Sequence, residues 1–292
     1  MMYNDTSLET RDTPIVALVI MLSLCLYIVV ASILIIIAVK VNKELHNVGS
    51  YLQINNMLVA LQTTVITVPL LVRILATCGF YDYWSCVLTY CFMVFSFLNK
   101  STNLFLFVVL VFYQLKSPFQ SLTDTTTKRF CSAAVIMWTT TGIFSFIPSM
   151  GFNSYYDTRN DDDFVCLPFS VPTTAHFLVS VYVIEVPFVV ATCVIGGMFL
   201  RLVNKVASTS TSDAGGLYAS GSTKRKLATI VIIITFALLV VWLPAMIIAH
   251  ISFFCPSCVD HYKVLFTVAW VFTIISTLQH SALLDCERFV VR

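Results

Sequence analysis

Seven stretches of the chain are almost wholly apolar, at roughly residues 15–39, 52–76, 86–112, 132–150, 176–200, 227–254 and 264–284. A helix of about 20 residues crosses a hydrocarbon core about 30 Å thick, and each stretch is of that order. The fourth is the shortest; Trp138 and Pro148 mark its middle and its outer end. Strands of a membrane barrel would be about ten residues long with alternating polarity, and nothing here alternates. The pattern predicts an all-α membrane protein, a bundle of seven transmembrane helices. It divides the chain into a polar segment 1–14, a helical domain 15–284 and a short tail 285–292. A Ser/Thr/Gly-rich linker at about 202–223 interrupts the helical domain.

Composition agrees: 58% of the 292 residues are hydrophobic, 11% are charged, and the mean hydropathy is +0.89. Charge then orients the bundle. Lys40, Lys43, Lys116, Lys128, Arg129, Arg201, Lys205, Lys224, Arg225, Lys226, Arg288 and Arg292 fall on one side. The other side holds only Arg11, Arg73, Arg159 and Lys263, against Asp5, Glu9, Asp12, Asp82, Asp157, the Asp161–Asp163 run and Asp260. The basic side is cytoplasmic, so the N-terminus is expected outside. With no cleavable signal pattern ahead of it, the first helix acts as a signal anchor. Insertion alone accounts for the inner basic excess, and no nucleic-acid partner is implied. Asn4-Asp5-Thr6 is a glycosylation sequon on the outer side.

Ten cysteines separate by depth. Cys25, Cys91, Cys131, Cys193 and Cys286 lie in or below the membrane, toward the reducing side, and read as packing residues, with acylation an alternative for Cys286. Cys78, Cys86, Cys166, Cys255 and Cys258 lie on the oxidising side. Cys255 and Cys258 are close enough to bridge each other within one outer turn. A zinc site built from them with His250 or His261 is the competing reading. The helices offer no paired catalytic carboxylates, no Ser/His/Asp grouping, no metal cluster and no inverted repeat. Neither an enzyme nor a transporter is expected, and no cofactor or metal is called for.

Val240 to Cys258 reads VVWLPAMIIAHISFFCPSC. Pro244 kinks this sixth helix, which a membrane helix tolerates where its neighbours cover the freed carbonyl. Trp242 beside the kink is placed to meet a ligand on one side and move the helix on the other. Other features join this one: AVKVNKELHNVGSYLQINN at 38–56, with its L-x-N-V-x-x-Y run at Leu45–Tyr51; Trp138 and Pro148 ahead of Ser149-Met150-Gly151-Phe152-Asn153; Pro187 in the fifth helix; and the spacing from Cys86 to Pro118. Together they resemble rhodopsin-family receptors and, within them, adenosine receptors, over residues 15–289. The resemblance implies a plasma-membrane receptor with a small-molecule ligand, a heterotrimeric G protein as partner, and a receptor dimer as a further assembly. It also implies a Cys86–Cys166 bridge, which leaves Cys78 without a mate, and a switch that includes Pro187, Trp242 and Pro244.

The interior departs from that plan. Where such receptors carry D-R-Y, this chain has Leu110-Val111-Phe112, and Lys224 stands where the arginine's acidic partner would be. The N-P-x-x-Y slot reads Leu278-Gln279-His280-Ser281-Ala282-Leu283. Coupling is therefore expected to be weak or atypical, or the protein is a receptor-fold decoy, dimer partner or decaying copy. The short tail argues against arrestin control through a phosphorylated tail. Ala60 replaces the sodium-binding aspartate, Ser32 the first-helix asparagine, and Lys100 the small polar sodium ligand opposite. About 20 Å of helix separates Lys100 from either end of the third helix, and an unpaired ammonium mid-membrane costs about 3 kcal/mol or more. Either its ammonium substitutes for the sodium ion, with Ser276, Gln279 or Asn56 as partner, or it is a polar packing group.

In adenosine receptors a sixth-helix asparagine and a loop phenylalanine hold the adenine. Their slots here are Ala249 and Pro168, with Phe169 one step along, and Met246 takes a histidine slot. Losing that paired hydrogen bonding costs a purine on the order of 1–3 kcal/mol. The expected pocket is walled by Met93, Phe97, Phe169, Trp242, Met246, Ala249 and Trp270, with His250 near its rim, and suits an apolar or weakly polar small ligand. Glu185, two residues before Pro187, faces either that pocket or a helix interface.

Overall fold

Two prolines set the shape of two of the helices. A proline has no N–H to give the carbonyl four residues back, and its ring crowds that carbonyl. Pro69 and Pro187 both stand two residues beyond a π-helical segment, Thr63–Thr67 and Val179–Glu185 respectively. The wider turn closes with the N–H of Val68 on Thr63 O and that of Val186 on Val181 O. The ladder thus loosens where the proline would break it. Sequence placed a kink at Pro244, but showed neither the adjustment at Pro69 and Pro187 nor the extra residue inserted ahead of each.

The structure, a computed structural model, describes residues 12–42, 48–70, 73, 82–116, 124–155 and 171–209, and helical positions 244, 246, 247, 249–251, 253 and 254. α1 is Asp12–Val41, α2 is Val48–Gln62 continued by the π turn, α3 is Tyr83–Lys116 and α4 is Asp124–Ser145. α5 comprises Thr174–Leu178, the π segment and Val186–Thr209. The helical positions within 244–254 are designated α6. The chain is all-α: among the described residues no strand occurs, only an isolated bridge between Asn153 and Pro172. Several helices outrun the apolar stretches that predicted them, because polar turns such as Asp124 to Lys128 extend them past the membrane. Among the described residues, Leu22–Val41, Tyr83–Leu110 and Thr174–Arg201 are long and apolar enough to span a bilayer.

α3 is the central helix. It packs on α2, α4 and α5, and 61% of its apolar stretch is buried, against 17% for α1. Its polar middle meets a different partner on each side. Ser96 Oγ donates to Gln62 Oε1 at 3.0 Å, Gln62 Nε2 donates to Thr67 Oγ1 at 3.3 Å, and Thr67 Oγ1 lies 3.1 Å from Ser96 Oγ. Ser96 Oγ also lies 2.7 Å from Phe92 O of its own helix, which competes with Gln62 for the single hydroxyl proton. On the α4 side, Trp138 Nε1 donates to Asn55 Oδ1 at 2.6 Å and Asn55 Nδ2 donates to Asn103 Oδ1. Thr141 Oγ1 reaches Asn99 Oδ1 at 2.9 Å. Toward α5, the Ser101 hydroxyl donates to Glu185 Oε1.

The helix ends around the start of α3 are fixed by caps and turns. The Asp82 carboxylate accepts the Ser85 N–H at 2.9 Å, the pairing that starts a helix at an N-cap aspartate. Gly151, at φ 101°, closes the short 3-10 turn Ile147–Met150 after α4. Asn153 ties that turn to α3, donating to Pro148 O at 2.8 Å and to the Tyr83 hydroxyl at 2.9 Å. Cys86 is fully buried and disulfide-bonded; Cys166, the partner that the resemblance implies, lies outside the described residues. Cys25, Cys91, Cys131 and Cys193 are free thiols.

The Ser85 backbone N–H, with the Ser85 hydroxyl and Arg73 adding to it, holds the Asp82 carboxyl below the usual carboxylate range. A lowered folded-state pKa stabilises above the unfolded value, and the gain disappears as pH falls through the folded one. Thermal melts of wild type and Asp82→Ala should therefore differ at pH 6 and converge as the pH is taken below that range. A gap that persists unchanged into acid would show that the cap is not ionic.

Candidate ligand site and interior polar contacts

The fifth helix begins with Thr173, whose hydroxyl accepts the His176 N–H at 3.3 Å. From that start Phe177, Val181 and Glu185 fall on one buried face. Four-residue spacing through a π segment keeps one face where a regular helix would drift. Phe177 and Val181 pack with Met246 of α6, and Phe97, Val186, Ala249 and Phe253 close around them. The structure thus brings together Phe97, Met246 and Ala249 of the expected pocket. Their neighbours Phe177, Val181 and Phe253 were missed in sequence, for nothing in the apolar pattern of the fifth helix revealed which face turned inward. Phe177 and Phe253 stack with ring centroids 4.2 Å apart.

Met93 packs elsewhere, nearer the outer end of α3, with Cys86, Val87, Tyr90, Tyr155 and Val171. Beside it is a buried trio that the sequence did not reveal. His176 Nε2 lies 3.1 Å from Phe144 O and its Nδ1 lies 3.1 Å from the Tyr90 hydroxyl. A carbonyl only accepts, so in the neutral ring Nε2 carries the proton and Tyr90 donates to Nδ1. The ring also stacks on Phe144 at 4.7 Å. One histidine joins α3, α4 and α5.

His250 makes the corresponding link between α5 and α6. Its Nδ1 lies 2.8 Å from Met246 O, and its Nε2 lies 2.8 Å from the Tyr182 hydroxyl. Both ring nitrogens are engaged by protein groups. The other members of the alternative zinc set, Cys255, Cys258 and His261, lie outside the described residues, as do Asn4, Phe169, Trp242, Trp270 and Gln279. Pro244 is helical and partly buried, and Pro187 is exposed.

Glu185 is 1% exposed and is met by Ser101 of α3, one turn along from Phe97. It therefore lies at the α3–α5 interface, directly below the apolar cluster. Lys100 is partly buried in the middle of α3. Ala60 packs with Cys25, Ile28 and Val68 in an apolar cluster, and Ser32 Oγ meets Met57 Sδ at 3.6 Å. Toward the C-terminal end of α3, Leu110 is buried with Leu52, Leu106 and Ala134.

The family model described as 7 transmembrane receptor (rhodopsin family) matches residues 31–279. No curated protein matches the chain.

Removing one partner of a buried hydrogen bond costs about 1–3 kcal/mol, whereas removing both costs less. Between membrane helices such coupling averages about 0.6 kcal/mol and reaches about 1.7, so in a double-mutant cycle of thermal stability Ser101→Ala and Glu185→Leu should be coupled by roughly 0.6–1.7 kcal/mol. Strict additivity would show that the contact does not hold α3 to α5.

Proposed function

The chain belongs to the rhodopsin family of seven-transmembrane receptors, and from that premise we propose a small-molecule receptor of adenosine-like descent with weak or atypical coupling. Membership makes it a multi-pass plasma-membrane signalling receptor, in a family whose members bind small ligands and couple to G proteins. The finer reading has the N-terminus outside and the ligand among Phe97, Met246, Ala249 and His250, with Phe169, Trp242 and Trp270 completing the wall; Met93, packed in a separate cluster, is left out of it.

The observation that carries the coupling reading is the inner end of α3. Leu110 is buried in an apolar cluster between α2 and α4, and residues 110–112 offer no ionisable group to hold the helix ends or meet a G protein. The same observation supports the second reading, a receptor fold that binds without signalling as a decoy, a dimer partner or a decaying copy. The packing of Met246 and Ala249 against Phe177 and Phe253 supports a ligand less polar than a purine.

A G-protein activation panel on surface-expressed protein separates the two readings. The receptor reading expects a measurable but small response with at least one G protein; coupling to none at high expression leaves the second. Lys100 is proposed to fill the place of the family's sodium ion. Lys100→Ala should then melt lower than wild type in choline buffer and regain stability in sodium, while wild type melts alike in both. A variant with unchanged stability and no sodium response would leave Lys100 a packing group.

A further inference from the structure

Tyr182 and His250 join α5 to α6 on a face that the bundle turns outward. Tyr182 is 52% exposed, and Leu178, Val183, Ile247, Ile251 and Phe254 around it are exposed and apolar. In a membrane-spanning chain such a face meets lipid, where polar groups must find partners. The partners here can be assigned. Met246 O only accepts, so His250 Nδ1 carries the ring proton and donates to it. Nε2 is then an acceptor, and the Tyr182 hydroxyl donates to it. Every donor of the pair is spent, and the capacity left over is the acceptor lone pairs of Tyr182 Oη.

Depth narrows the occupant further. Tyr182 lies roughly two turns inside the start of the 28-residue apolar span Thr174–Arg201; that span is about 42 Å long, so centred on a hydrocarbon core about 30 Å thick it sets Tyr182 about 6 Å inside the core. A charged head group is costly at that depth, and the polar part of a phospholipid stays at the interface. An acceptor-only site likewise gives a carboxylate nothing to bind. We infer that the α5–α6 seam binds a small uncharged lipophile bearing one hydroxyl, taken from the bilayer, which donates its hydrogen bond to Tyr182 Oη. The apolar side chains around the pair cover its hydrocarbon part. The seam also touches the candidate pocket. The His250 ring meets Phe177 at 5.4 Å, and Phe177 packs in the cluster that includes Phe97 of α3. The inference names a ligand class for the proposed receptor; it rests on that reading for its signalling consequence, and not for binding.

The test is photolabelling of the full-length protein in phosphatidylcholine nanodiscs with 3-azioctanol, a photoactivatable alcohol, and mapping of the adducts by mass spectrometry. Adducts should concentrate on residues 178–183 and 247–254. Excess 1-octanol should reduce them at least fivefold, while octyl methyl ether and octanoate should not. Tyr182→Phe alone leaves His250 Nε2 as a free acceptor, so the variant is Tyr182→Phe with His250→Leu, which removes both acceptors and should lower labelling at least fivefold. The inference is overturned by label spread evenly over α1 and α5, by competition from the ether or octanoate equal to that of octanol, or by the Tyr182→Phe/His250→Leu double variant labelling like wild type. The ether comparison uses wild-type protein and does not depend on the folding of any variant. No G protein enters the measurement, so its failure and a failure of coupling are separate results.

Discussion

A polar side chain in the middle of a bilayer has no water to turn to, so its neighbours must satisfy it or the helix that carries it is not stable there. α3 concentrates this constraint. Ser96, Asn99, Lys100, Ser101, Thr102 and Asn103 lie within two turns, and they project around the helix rather than along one face. A helix polar on all sides must be surrounded. Its partners are Gln62 and Thr67 of α2 and its π turn, Asn55 of α2, Thr141 of α4 and Glu185 of α5. The central place of α3 follows from its own sequence. Satisfaction is incomplete: Asn99 Nδ2 and Asn103 Nδ2 are buried without an acceptor among the described residues, a cost that the apolar contacts of Leu104, Leu106 and Val108 must offset.

The fold was largely legible because hydropathy reports what lipid demands of every span. Apolar length predicts the helices, and the match over residues 31–279 establishes the family. Helix phase was much less legible. Reading which face turns inward assumes a constant 3.6 residues per turn, and both π segments break that assumption. Hence Glu185 could not be assigned to pocket or interface from sequence, whereas the structure sets it below Phe177 and Val181 on one face. The signal was present in part, since proline inside a helical run demands some adjustment just ahead of it. It does not say whether that adjustment is a bend or an inserted residue. His176 shows another limit. A lone histidine among Ala175, Phe177 and Leu178 reads as packing until Tyr90 and Phe144 are seen to meet it from two other helices.

The two histidines do the same work at different places. Each has one nitrogen on a backbone carbonyl and the other on a tyrosine hydroxyl, Phe144 O and Tyr90 for His176, Met246 O and Tyr182 for His250. This arrangement uses both ring positions of a neutral imidazole and requires no charge. Their difference is exposure. The Tyr90–His176 pair is buried and joins α3, α4 and α5, so it belongs to the fixed part of the bundle. The Tyr182–His250 pair is on the surface of the α5–α6 seam, where the π segment has already loosened the helix.

Magnitudes limit how such a seam can act on the rest of the molecule. Moving a two-state equilibrium from mostly one form to mostly the other takes about 5.5 kcal/mol of differential binding, while a side-chain hydrogen bond between membrane helices is worth roughly 0.6 kcal/mol on average. One bond at Tyr182 cannot supply that difference. Several contacts must change together, and the geometry couples them: His250 meets Phe177, Phe177 stacks on Phe253, and Phe97 of the same cluster is one helical turn from Ser101 and its bond to Glu185. A shift of α5 against α3 has to break that bond and repack the cluster above it. Leu110, farther along α3, is held only by apolar packing among the described residues, so the polar contacts of the middle of α3 carry much of the described resistance to that shift.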